Sequence, residues 1–198
     1  NDYTIKNIAK NKYILNIKPQ KENSLSTANL EIKLTDYTKV KYSKQEINYH
    51  IKCYAVNTYK GLLKNSNEDK VTIILTVSKP KIFKGYWPKC SIIALYDGKL
   101  GKNCSIFLRE KLHNYILKDQ YFPENPKKSI INGYEKAEKD FMESIKDNLN
   151  ERSGSCALIA LIIDDMLYIS NCGNSYAILS MNEGKNIKIL TKIHGISN

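Results

Sequence analysis

The chain has 198 residues and a formal net charge of +11, almost all of it from lysine. It contains no run of eighteen apolar residues, which argues against a membrane-spanning helix. An apolar content of 42% and a charged content of 26% suit a globular domain with a sizeable core. Arg109 and Arg152 are the only arginines, and the lysines are scattered. That pattern does not suit specific nucleic-acid readout, which favours arginine forks. It reads instead as a solvated lysine surface, with acidic proteins or anionic membranes as the charge-complementary partners. The five cysteines, Cys53, Cys90, Cys104, Cys156 and Cys172, form no C-x-x-C, and His50, His113 and His194 lie far apart. With no disulfide framework and no apolar signal stretch, the expectation is a cytoplasmic or nuclear protein that is not secreted.

Residues 1–46 are polar and lysine-rich and read as an extension of a domain at 47–198. Within the extension, 29–34 alternates like an edge strand and 39–46 reads as a connector. Strand character follows at 51–59, then a turn-rich loop that ends in Glu68-Asp69, then a strand at 71–77. After a loop with Pro80, Gly85 and Pro88, the apolar run 91–96 predicts a strand buried on both faces. Apolar residues at helical spacing predict helices over 104–118 and 129–149, with P-E-N-P breaking the pattern between them. Strands at 156–163 and 166–171 flank an Asp164-Asp165 hairpin turn, and two more follow at 176–181 and 187–191. Strands, two helices and then a meander imply an α+β layered domain.

The chemistry centres on Asp97-Gly98, at the tip of the 91–96 strand. A carboxylate held there by rigid backbone suits a metal ligand or a general base, although Asp-Gly is also ordinary turn chemistry. A second acidic pair, Glu68-Asp69, lies at the mouth of the preceding strand.

Five segments in order resemble the metal-dependent protein phosphatase family, protein phosphatase 2C. They are Lys64-Asn65-Ser66-Asn67-Glu68-Asp69, Asp97-Gly98-Lys99-Leu100-Gly101, Ser153-Gly154-Ser155-Cys156-Ala157, the stretch from Ile169 to Ala177, and Leu190-Thr191-Lys192-Ile193-His194. The resemblance implies a layered α+β sandwich with flanking antiparallel helices, incomplete at its C-terminus. It also implies a seat for Mg²⁺ or Mn²⁺. Asp69 and Asp97 would supply carboxylates, Gly98 its carbonyl and Glu68 support, with Lys64 in the place of a phosphate-binding arginine.

The departures from that pattern cluster at the same segments. Lys99 stands at the family's histidine, and an ammonium is a poor proton relay at neutral pH, so no residue is assigned as catalytic. Lys64 offers phosphate one point charge in place of a fork. Asn174 replaces an aspartate tied to an additional metal, and Tyr176 replaces an arginine. After Asp165 the sequence has no aspartate and only Glu183 among acids, so the family's last two metal aspartates are missing from it. The resemblance therefore implies weak or absent Mg²⁺ or Mn²⁺ binding. The expected function is a pseudophosphatase serving as a protein-interaction or regulatory module for a protein partner or phosphoprotein. The alternative is an active Mg/Mn-dependent serine/threonine phosphatase whose metal site is completed by residues beyond Asn198.

Overall fold

The computed structural model describes residues 41–42, 51–62, 64–81 and 83–195. The expected edge strand at 29–34 lies outside them, as does most of the 39–46 connector. Lys41–Tyr42 (β1) pairs antiparallel with Ala55–Val56 (β2), which is all that forms of the strand expected at 51–59.

The centre is a four-stranded antiparallel sheet built from Lys70–Ile74 (β3), Cys90–Tyr96 (β4), Ala157–Ile163 (β7) and Met166–Cys172 (β8), in the order β3-β4-β7-β8. Burial alternates along β4 and β7, so Cys90, Ile92, Ala94 and Tyr96 share one enclosed face with Ala157, Ile159, Leu161 and Ile163. Two helices cover that face, Asn103–Leu117 (α1) and Pro126–Ile145 (α2). Ile92, Tyr96, Leu112, Ile116 and Leu161 are fully enclosed, and each of the four aliphatic side chains contributes about 1.5–3 kcal/mol by leaving water. The other face of β4 carries Ile93, which is half-buried, and Leu95, which is exposed.

The helices run antiparallel. Gly133 of α2 lies against Ile116 of α1, and Phe107 meets Phe141 with ring centroids 5.4 Å apart. Tyr134 ties the pair to the sheet by donating to the Ala157 carbonyl at 3.1 Å. The α2 boundaries differ from the expected 129–149. Pro126 occupies the first turn, where its missing N–H costs nothing, and the Asn125 side chain accepts from Lys128 N–H at 3.2 Å. P-E-N-P is thus a helix start as well as a break. At the other end the apolar stripe gives out, and Leu149 is 90% exposed.

The Asp164-Asp165 turn joins β7 to β8 as expected, with Asp164 in the left-handed region at φ 45°. Its carboxylate accepts from Lys89 N–H at 3.0 Å and from the Tyr86 hydroxyl at 3.2 Å, which pins the loop before β4. Two short ribbons complete the described residues. Gly98–Lys99 (β5) pairs with Gly154–Ser155 (β6), and Ile178–Met181 (β9) pairs with Asn186–Ile189 (β10). No helix among the described residues is long and apolar enough to cross a membrane.

Candidate functional site

The β3–β4 register sets the site. Lys70 faces Tyr96, so the next step along both strands sets Asp69 against Asp97 and the one after sets Glu68 against Gly98. The register puts the two aspartates on the face of the sheet away from the helices, near enough for the charge of Asp97 to act on Asp69. Burial, and then the charge of Asp97, push the Asp69 carboxyl above its ordinary value. Two carboxylates are thereby crowded together, with the charges of Lys64 and Lys70 offsetting only part of the effect on Asp69.

The backbone leading into this pair is tightly held. The Asn67 side chain accepts from Asp69 N–H at 2.9 Å, closing a local turn. Ser105, fully buried in the first turn of α1, donates its hydroxyl to the Glu68 carbonyl at 2.5 Å. Glu68 turns its carboxylate to Lys64 at 2.5 Å, and that ion pair, followed by the Gly101 N–H, holds the Glu68 carboxyl below the usual range. The Lys64 ammonium also reaches the Gly98 carbonyl at 3.4 Å. Lys99 is exposed in β5, opposite Gly154.

Asn174 joins the rim indirectly. It accepts from Cys156 Sγ at 3.2 Å, while the Cys156 N–H donates to the Asp97 carbonyl at 2.9 Å. Lys64, Glu68, Asp69, Asp97, Gly98 and Lys99 therefore gather at one end of the sheet, with Asn174 next to them. Among the described residues no group of three or more His, Cys, Asp or Glu forms a metal cluster. The rim's acids divide into the Asp69–Asp97 pair and a Glu68 engaged by lysine.

Sequence reasoning missed the residues that anchor α1 beside the site. Lys102, at the helix start, provides no side-chain cap. Ser153, from the far side of the chain, accepts from Cys104 N–H at 3.0 Å instead. Glu151 secures Ser153 by accepting its N–H at 2.7 Å, and it also accepts from the Asn103 amide. The Ser153 hydroxyl and then the Asn103 amide hold the Glu151 carboxyl down at about 2, below its ordinary 4.5. Because the folded value is depressed, the stabilisation is complete above pH 4.5 and is lost as pH falls towards about 2. Glu151→Gln is expected to lower the unfolding midpoint at pH 7 and to flatten its fall through that acid window. Parallel midpoint-versus-pH curves for the two proteins would show that this bracket is not stabilising.

The family model for Protein phosphatase 2C matches residues 61–198, which includes every residue of the rim. Probable protein phosphatase 2C 10 of Arabidopsis thaliana is 36% identical over 90 residues, covering 45% of this chain and 31% of that protein. Probable protein phosphatase 2C 17 of the same plant is 31% identical over 128 residues, or 64% and 42% of the two lengths. The chain thus spans less than half the length of these curated relatives. A bacterial serine phosphatase crystal structure superposes with a TM-score of 0.57 at 16% identity, covering 80% of this chain and 56% of that one. At that identity the likeness speaks for the fold. A match over most of the described residues, together with the helix-backed sheet and its acidic end, makes this chain a member of the protein phosphatase 2C family.

Proposed function

We propose that this domain is a pseudophosphatase, a protein phosphatase 2C fold that works as a protein-interaction or regulatory module and not as a serine/threonine phosphatase. One observation supports the reading: the departures from the family pattern converge in space on the rim that holds Asp69 and Asp97. Lys64 touches the Gly98 carbonyl, Lys99 follows it in β5, and Asn174 is linked through Cys156 to the backbone of Asp97. Of these, Lys99 adds positive charge where the family has a histidine and Asn174 removes the negative charge of an aspartate, where hydrolysis would need cation-binding acids. In this reading residues 1–46 are an extension of the domain at 47–198, and the partner is a protein or phosphoprotein met in the cytoplasm or nucleus.

The oxygen-only donor set of Asp69, Asp97 and the Gly98 carbonyl fits one hard ion such as Mg²⁺ or Mn²⁺. When bound, such an ion would neutralise phosphate charge and acidify a coordinated water. The chain's own residues would seat the ion with the two carboxylates, and Lys64 would offer phosphate a single point charge. The meeting of Asp69 and Asp97 also favours a second reading, an active Mg/Mn-dependent phosphatase completed by residues beyond Asn198.

Calorimetric titration of the full-length protein with Mn²⁺, paired with phosphate release from a phosphopeptide, separates the two. The module reading expects millimolar or weaker Mn²⁺ binding and no turnover. Metal-dependent phosphate release that disappears in Asp97→Ala would falsify it.

A further inference from the structure

Residues 79–89, the loop that leads into β4, carry four lysines and no acid. Lys79, Lys81, Lys84 and Lys89 are all exposed, and Tyr86 among them is 76% exposed. The loop is held in shape from within. Phe83 N–H donates to the Pro80 carbonyl at 3.0 Å, and the Lys79 ammonium donates to the Gly85 carbonyl at 2.8 Å. Trp87 donates its indole N–H to the Val77 carbonyl at 3.0 Å and packs on Phe83 and Phe122, with ring centroids 5.3 and 5.4 Å away. With those aromatics packed together, the lysines and the Tyr86 ring are what the loop presents to solvent. Two acids, Asp164 and Asp165, sit on the turn pinned to this loop and offset part of its charge.

We infer that this loop docks the protein on an anionic membrane surface, through lysine charge and the Tyr86 ring seated among the lipid headgroups. Lysine offers point charges on flexible stems, which suits the scattered anionic headgroups of a leaflet. A single fixed phosphate or carboxylate on a peptide favours an arginine fork instead. Four clustered lysines suffice for recognition of phosphatidylserine-type surfaces, and a tyrosine ring partitions to the membrane–water interface. Each lysine held near such a leaflet is worth about fivefold in binding. The loop enters β4 at Cys90 and the acidic rim follows Tyr96, so the two lie about 20 Å apart at opposite ends of that strand. A membrane bound at the loop therefore leaves the rim facing solvent. Docking of this kind asks nothing of the rim, so it holds whether or not the rim hydrolyses phosphate.

The test is co-sedimentation of the full-length protein with phosphatidylserine-rich vesicles and, separately, with pure phosphatidylcholine vesicles. Wild type is expected to bind the anionic vesicles only, and more weakly as salt is raised. Lys81→Gln/Lys84→Gln should bind about twentyfold more weakly. Lys139→Gln/Lys146→Gln, towards the rim end of α2, removes the same charge and should change binding by less than about twofold. Tyr86→Ser should weaken binding, whereas Tyr86→Phe, which keeps the ring and drops the bond to Asp164, should not. Equal binding to both vesicle types, no binding to either, equal losses in the two double variants, or binding untouched by Tyr86→Ser would each overturn the inference. So would binding to an oligoglutamate peptide that falls in Lys81→Gln/Lys84→Gln while the vesicles stay unbound, which would assign the loop to acidic proteins.

Discussion

Gly98→Ala is expected to destabilise the domain by about 3 kcal/mol, near the top of the range for overpacked sites. For a chain of this size that corresponds to a fall of about 6–12 °C in the thermal midpoint. A methyl group built at this glycine lies 2.5 Å from the Glu68 carbonyl oxygen and 2.9 Å from Glu68 Cβ. Those atoms cannot retreat cheaply. The same carbonyl is gripped by the buried Ser105 hydroxyl, and the next residue, Asp69, is tied into its Asn67 turn. The substitution must therefore pry β5 away from the strand end that carries the acids. Because it moves Gly98 and Asp97 apart from Glu68 and Asp69, whatever Mn²⁺ affinity the rim has should fall with it. A midpoint within about 2 °C of wild type would mean that the close approach yields easily.

Gly173→Ala is expected to cost a similar amount for two separable reasons. The residue has φ +113°, where a side chain is strained, and the new Cβ would lie 2.4 Å from Cys156 Sγ. The backbone is also pinned, since the Gly173 carbonyl accepts from His194 N–H at 3.0 Å and from the Asn171 amide at 2.9 Å. The strained φ accounts for about 1–2 kcal/mol and the overlap for about 1–3 kcal/mol. Trimming the sulfur with Cys156→Ala should recover part of the overlap, since Cys156 Cβ would still lie 2.8 Å from the new methyl group, and leave the backbone part. In a double-mutant cycle by urea denaturation, the pair should then be coupled by about 1 kcal/mol or more. Strict additivity would show that the sulfur is not what the methyl group meets.

How legible the molecule was in its sequence depends on whether each signal was local. The 91–96 run gave itself away because both faces of β4 are apolar, and 156–163 did so for the same reason. The meeting of Asp69 and Asp97 has no periodic signature. It follows from the β3–β4 register, and the ordered motifs anticipated it only through resemblance. Expectations failed where a segment needed a distant partner. Residues 51–59 have strand composition, yet only Ala55–Val56 finds a pairing strand among the described residues. Likewise 71–77 shortens to Lys70–Ile74, since the main ladder partners β3 only as far as Ile74. Beyond it Val77 makes a single backbone bond to Cys90. Cys90 and Cys104 join the core, and burial pushes their thiols up to about 11, while Cys156 is half-buried and Cys53 and Cys172 are exposed. Ser105, Ser153 and Glu151 read as ordinary helix and turn residues, because hydrogen bonds across 37 to 49 positions leave no mark in a local window.

The long-distance capping of α1 bears on how the chain matures during synthesis. The Cys104 amide and its acceptor Ser153 are separated by 49 positions. On a ribosome the helix emerges with that amide still facing water, and the end next to the acids stays frayed until the following helix and the β6 turn have been made. The acceptor for that end of α1 is therefore supplied only after the whole of α2 has been made.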